Sequence, residues 1–135
     1  MSFTNIYVSA GNLASPYYTF YIDSAGTQEL SSPLQLNTTY TFYRLNNATS
    51  HPFYISDVGY EQSSTSAITL GGDGSATDGI EGSESLTLTI NEYVTNLYYY
   101  CTVHSSMISE FTLSQISLHT NGKTLVLDNP DNVDA

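Results

Sequence analysis

Residues 85–90 read Ser-Leu-Thr-Leu-Thr-Ile, a strict alternation that puts Leu86, Leu88 and Ile90 on one face of a strand and Ser85, Thr87 and Thr89 on the other. Such a segment is a half-buried strand, and no stretch of the chain sustains the spacing of an amphipathic helix. Elsewhere Tyr, Phe, Thr, Val and Ile gather in short runs separated by Gly, Pro, Asn, Asp and Ser, the pattern of many strands joined by turns. Only 11% of residues are charged, too few for an ordinary Lys/Glu-rich helical bundle. The expectation is an all-β sandwich of about seven to nine strands. Its 135 residues suit one domain. The core is placed at about residues 3–113, with an extra C-terminal hairpin and tail over 114–135.

The remaining strands follow from turn chemistry. Residues 17–22 read as a strand, and Asp23-Ser24-Ala25-Gly26 supplies a turn that folds 27–30 back upon it. Strands over 39–45 and 52–56 flank a loop over 46–50, so His51 sits where a loop enters a strand. In the strand over 97–101, Leu97, Tyr99 and Cys101 are expected to face the core, with Tyr98 and Tyr100 on the opposite face. A short loop then leads to a strand over 109–113. Asn121-Gly122 predicts a hairpin between 116–119 and 123–127, followed by a frayed acidic tail. The segment 71–82 carries five glycines. It lacks the ligand spacing of a calcium loop and reads as a flexible, solvated connector.

Thirteen acids face two bases, Arg44 and Lys123, for a formal charge of -11. That charge repels phosphate backbones and anionic headgroups, so neither nucleic acid nor membrane insertion is expected. The first residues have neither the basic start nor the apolar run of a secretory leader. One cysteine, Cys101, cannot form an intrachain disulfide.

Cys101 ends a tyrosine-rich run, with His104 three residues on and Met107 three beyond that. With three histidines and two methionines in the chain, that spacing arises by chance about once in three thousand times. Thiolate, imidazole and thioether are the donors of a blue-copper site, where soft sulfur and borderline nitrogen suit both Cu(I) and Cu(II). One tight loop would wrap three donors around an ion, and a fourth must come from a neighbouring strand. His51 is placed for that role, because His119 stands beside the Asn-Gly turn. The competing reading leaves out the ion and packs the same residues as a small core around Met107. No paired-carboxylate, Ser-His-Asp or HExxH pattern can be assembled, and an enzyme is not expected.

The run Tyr98-Tyr99-Tyr100-Cys101-Thr102-Val103-His104-Ser105-Ser106-Met107 resembles the ligand loop of the cupredoxins, with the two-residue gaps of the short amicyanin type. The resemblance implies a Greek-key β-sandwich holding one mononuclear type-1 copper, with Cys101 and His104 as ligands and Met107 as a weak axial ligand. Residues 39–56 look like the family segment that delivers the first histidine, a role carried to His51. The likeness spans most of 39–113, but only the loop is specific. Two departures stand out. Pro52 has no N–H to offer the copper thiolate, where many small cupredoxins use a backbone donor. The hairpin after Leu113 is additional. His51-Pro52-Phe53 is similar to the His-Pro-Phe of multicopper oxidases, but three histidines cannot build their trinuclear cluster.

Low Lys/Arg content, Ser/Thr/Tyr-rich strands, the His-Pro pair and the loop also resemble cupredoxin-like modules in structural proteins of marine bacteriophages. Two expectations follow. The first is a soluble one-electron carrier with a redox partner protein, periplasmic or extracytoplasmic if a leader was removed. The second is a structural or decoration module of a virion or other assembly, bound to other subunits through the C-terminal hairpin edge, with copper structural or absent.

Overall fold

A computed structural model describes residues 2–114, 116–118 and 125–127. The strands are β1 (Ser2–Val8), β2 (Phe20–Tyr21), β3 (Thr38–Arg44), β4 (Phe53–Ser56), β5 (Ile68–Gly72), β6 (Ser85–Ile90), β7 (Tyr98–Cys101), β8 (His104–Glu110), β9 (Ile116–Leu118) and β10 (Leu125–Leu127). They form a five-stranded sheet in the order β2-β1-β3-β6-β5, a three-stranded sheet β4-β7-β8, and the pair β9-β10. The chain is therefore an all-β sandwich, as the strand pattern predicts. Among the described residues, no helix is long and apolar enough to cross a membrane.

β6 begins and ends where its alternation predicts, and Leu86, Leu88 and Ile90 are fully buried. Burying a side chain of that size contributes about 1.5–3 kcal/mol. β3 alternates in the same way, sending Thr38, Tyr40, Phe42 and Arg44 inward. It pairs antiparallel with β6 and parallel with β1, where Ile6 lies beside Phe42 and Val8 beside Arg44. Aromatic rings join the two sheets. Phe42 of β3 meets Phe53 of β4 at 5.6 Å between ring centres, and Phe20 of β2 meets Tyr99 of β7 at 4.9 Å. The second pair is edge-on, and contacts of that kind stabilise beyond their burial alone.

Several sequence expectations are corrected. The predicted strand over 17–22 shrinks to Phe20–Tyr21, because Tyr17 sits at φ +76°, outside the extended region. The hairpin survives through a Tyr21–Glu29 bridge, with the Asp23 carboxylate accepting from the Thr27 and Gln28 N–H groups. β1 and β5 carry no counterpart in the sequence reading. Residues 71–82 are only in part a solvated connector: 73–75, 77 and 78 are exposed, but the ends of the segment are built into the fold. Gly71 and Gly72 end β5, Gly79 is buried, and fully buried Ile80 bridges Phe53 on both its N–H and its carbonyl.

Tyr100 does not face solvent but is fully buried. Residues from the β4–β5 and β5–β6 connections cover the outer face of the three-stranded sheet: Tyr60 packs on Tyr100 at 5.0 Å, and the Tyr100 hydroxyl donates to the Ala76 carbonyl. The strand predicted over 109–113 begins earlier, at His104. β9 and β10 pair antiparallel as the C-terminal hairpin requires. The Asn121-Gly122 turn, His119, Lys123 and the tail from Asp128 lie outside the described residues.

Candidate metal centre

The ladder between β4 and β7 sets Phe53 opposite Cys101. His51 stands two residues before Phe53, so the start of one strand meets the end of its neighbour across fifty positions of sequence. Three hydrogen bonds hold that junction. The Thr102 N–H donates to the Pro52 carbonyl at 3.0 Å, the Gly79 N–H to Thr102 Oγ1 at 3.0 Å, and the Tyr60 hydroxyl to the Cys101 carbonyl at 2.8 Å.

Cys101 and His104 pair across a turn made by Thr102 and Val103. A two-residue hairpin loop sets its flanking residues directly opposite one another, with their side chains on one face and Cβ atoms about 5 Å apart. The Cys-x-x-His spacing therefore has a backbone cause. Beyond it the ladder slips: Tyr100 pairs with Ile108 while Cys101 pairs with His104, leaving residues 105–107 in excess on β8. Such a bulge re-aims side chains. Ser105 and Ser106 are exposed, and Met107 turns inward to full burial in the same core as Cys101.

Three donor atoms converge. Nδ1 of His51 lies 3.3 Å from Nδ1 of His104, and the Cys101 sulfur lies 3.8 Å from the first and 3.5 Å from the second. A point in the plane of this triangle is about 2 Å from all three atoms, close to ordinary metal–imidazole and metal–thiolate lengths of about 2.0–2.3 Å. His51, Cys101 and His104 are thus close enough to hold a metal ion. The group has no carboxylate, and one thiolate with two imidazoles favours a borderline or soft transition ion over Mg²⁺ or Ca²⁺.

No protein-family model, curated protein or solved structure matches the chain.

The surroundings fix the triangle on its buried side. Cys101 is fully buried, His51 half-buried and His104 exposed. His51 adopts φ +52°, a left-handed conformation that is sparsely populated outside glycine and persists where neighbours over-determine it. Here the Tyr18 hydroxyl donates to the His51 carbonyl at 2.7 Å. Gly11 packs so closely that a Cβ there would meet the His51 Cβ at 3.3 Å. Desolvation, then the neighbouring His104 and Arg44, hold His51 below the ordinary imidazole range, which favours the neutral ring that a metal needs. Burial, with Cys101 next in effect, pushes Tyr18 up, so its hydroxyl stays protonated and able to donate.

Among the described residues, no backbone N–H donates to the Cys101 sulfur, in keeping with proline at position 52. Tyr18, Arg44 and Gly79 shape this centre without having been singled out from sequence. For Arg44 a signal existed: it is one of two bases in an acidic chain and falls on the inward parity of β3.

Proposed function

We propose that the chain is a non-enzymatic, cupredoxin-like copper-binding module whose type-1 site transfers one electron at a time. The observation that carries this reading is the triangle of one thiolate and two imidazole nitrogens on facing strands. His51, Cys101 and His104 would hold the ion, with Met107, the fully buried last residue of the bulge, as a weak thioether donor. Copper bound there supplies the Cu(I)/Cu(II) couple. The protein's part is rigidity: hydrogen-bonded strands keep the donors in one arrangement and so lower the rearrangement that accompanies a change of charge. His104 is exposed beside Val103, itself 62% exposed, which gives a redox partner protein an apolar approach to a ligand edge.

Titration of the reduced, metal-free protein with Cu(II) is the test. One equivalent should produce an intense visible thiolate-to-copper band that vanishes on reduction and returns on oxidation. A titration with no saturating visible band contradicts the reading.

A second reading, a module of a virion or other protein assembly, is favoured by the outer face of the five-stranded sheet. Its outward positions on β3 and β6 are Thr39, Thr41, Tyr43, Ser85, Thr87 and Thr89, with Tyr7 of β1 stacked on Tyr43 at 5.3 Å. Among the described residues, the only charged side chain in these five strands is Arg44, which is buried. Uncharged ground in a chain of charge -11 is where like-charged copies or neighbours meet the least local repulsion. On this reading sedimentation of the wild type gives a concentration-dependent mass that Tyr43→Lys reduces to the monomer. A wild type that stays monomeric up to millimolar concentration speaks against contact between copies through this face.

A further inference from the structure

Arg44 ends β3 at an inward position and is only 2% exposed. Its guanidinium donates to three backbone carbonyls from three different segments: Ile80 at 3.0 Å, Ser9 at 3.0 Å and Ser50 at 2.8 Å. Nε has no partner, and Arg44 makes no ion pair with any carboxylate among the described residues. Its Cζ lies over the Tyr18 ring, 5.9 Å from the centroid.

A guanidinium stays charged in proteins, and burying one costs several kcal/mol unless an opposite charge or full hydrogen bonding offsets it. Three carbonyls out of five possible donor contacts do not complete that offset. Desolvation by burial is the largest influence on Arg44, and among the described residues no carboxylate contacts it to offset that cost.

The three carbonyls are also informative by position. Ser50 immediately precedes the ligand His51, and Ile80 follows Gly79, whose N–H holds Thr102 beside the ligand Cys101. Tyr18, beneath the guanidinium, bonds the carbonyl of His51 itself.

We propose that Arg44 is the positioning residue of the metal centre: it ties together the segments that carry His51 and brace Cys101, and it places a buried positive charge beside those segments. This inference rests on the copper reading and deepens it. A buried cation favours the more negative state of the site, so Arg44 stabilises the reduced, Cu(I) form over the oxidised one. A residue that only stapled loops together would affect stability and leave that preference unchanged.

The test uses the full chain with Arg44→Gln and Arg44→Lys, reading the circular dichroism, Cu(II) and Cu(I) affinity by competition, and the reduction potential. Arg44→Gln should keep the β spectrum and bind copper at least about tenfold more weakly, as outer-shell substitutions do. Cu(I) should suffer more than Cu(II), and a tenfold preferential loss of Cu(I) lowers the one-electron potential by about 59 mV. Arg44→Lys keeps the charge but cannot span three carbonyls. It should melt as early as Arg44→Gln yet recover most of the potential. A folded Arg44→Gln with wild-type affinity and potential overturns the proposal, as does an Arg44→Lys whose potential falls as far as that of Arg44→Gln. If Arg44→Gln does not fold, the potential of Arg44→Lys decides alone: near wild type supports the proposal, and well below it overturns it. A wild type that binds no copper ends the copper reading, and the Arg44 inference with it. Variants that match a copper-binding wild type sink the Arg44 inference alone.

Discussion

Cys101→Ser should fold like the wild type, lose the visible band entirely and bind copper far more weakly. The exchange replaces one small, fully buried side chain with another of similar shape, so the sandwich has little reason to change. The metal centre loses its only anionic donor and keeps two imidazoles. Its affinity should fall by more than the 10–100-fold typical of an outer-shell partner. Thermal melting makes this measurable. Free copper at a thousand times the dissociation constant stabilises the native state by about 4 kcal/mol. For a chain of this length that raises the midpoint by roughly 12–15 °C. A hundredfold weaker site leaves only about 1.4 kcal/mol, or roughly 5 °C. A Cys101→Ser protein that keeps the full copper-induced shift would mean that copper binds elsewhere.

Gly79→Ala should be the most damaging single-methyl change near the site. A Cβ at Gly79 would lie 2.5 Å from the Phe53 nitrogen and 2.6 Å from the Pro52 carbonyl carbon, both backbone atoms. Neither can retreat easily, because Phe53 is bonded to Ile80 through both its N–H and its carbonyl and is paired with Cys101 on the other side. Relief of the clash must pry residues 79–80 away from β4, which breaks the Gly79–Thr102 bond and moves the carbonyl that Arg44 holds. Overpacking of this kind costs about 3 kcal/mol. The midpoint should fall by roughly 10 °C. Copper affinity should fall with it, since His51 and Thr102 lie on the displaced segments. Gly59→Ala is the control: its nearest neighbour is the Gln62 side chain at 3.8 Å, and stability should stay within about 0.5 kcal/mol of wild type. Equal melting of the two variants would contradict the close packing at Gly79.

These effects separate what the sequence carries from what it does not. β6 was legible because strict alternation specifies both a strand and its buried face. The Cys101–His104 relation was legible as donor spacing within one tight loop, but the two-residue turn that sets it was not, because the exposed Ser105 and Ser106 hide the start of β8. Tyr100 was misplaced because period-two geometry separates two faces without saying whether a distant loop covers the outer one, as Tyr60 and Ala76 do here. β5 was hidden by Gly71 and Gly72, whose turn-like composition masks ladder pairing with Thr87 and Leu86. The parallel pairing of β1 with β3 leaves no local mark, since it is decided by contacts more than thirty residues apart. Arg44 showed its parity but not its three acceptors, which come from segments with no sequence relation to one another.

X-ray absorption at the copper edge of the loaded protein is the most direct test of the donor triangle. One sulfur and two nitrogen scatterers within about 2.0–2.3 Å of the ion are the predicted result. A shell of nitrogen and oxygen alone, with no sulfur, would contradict it.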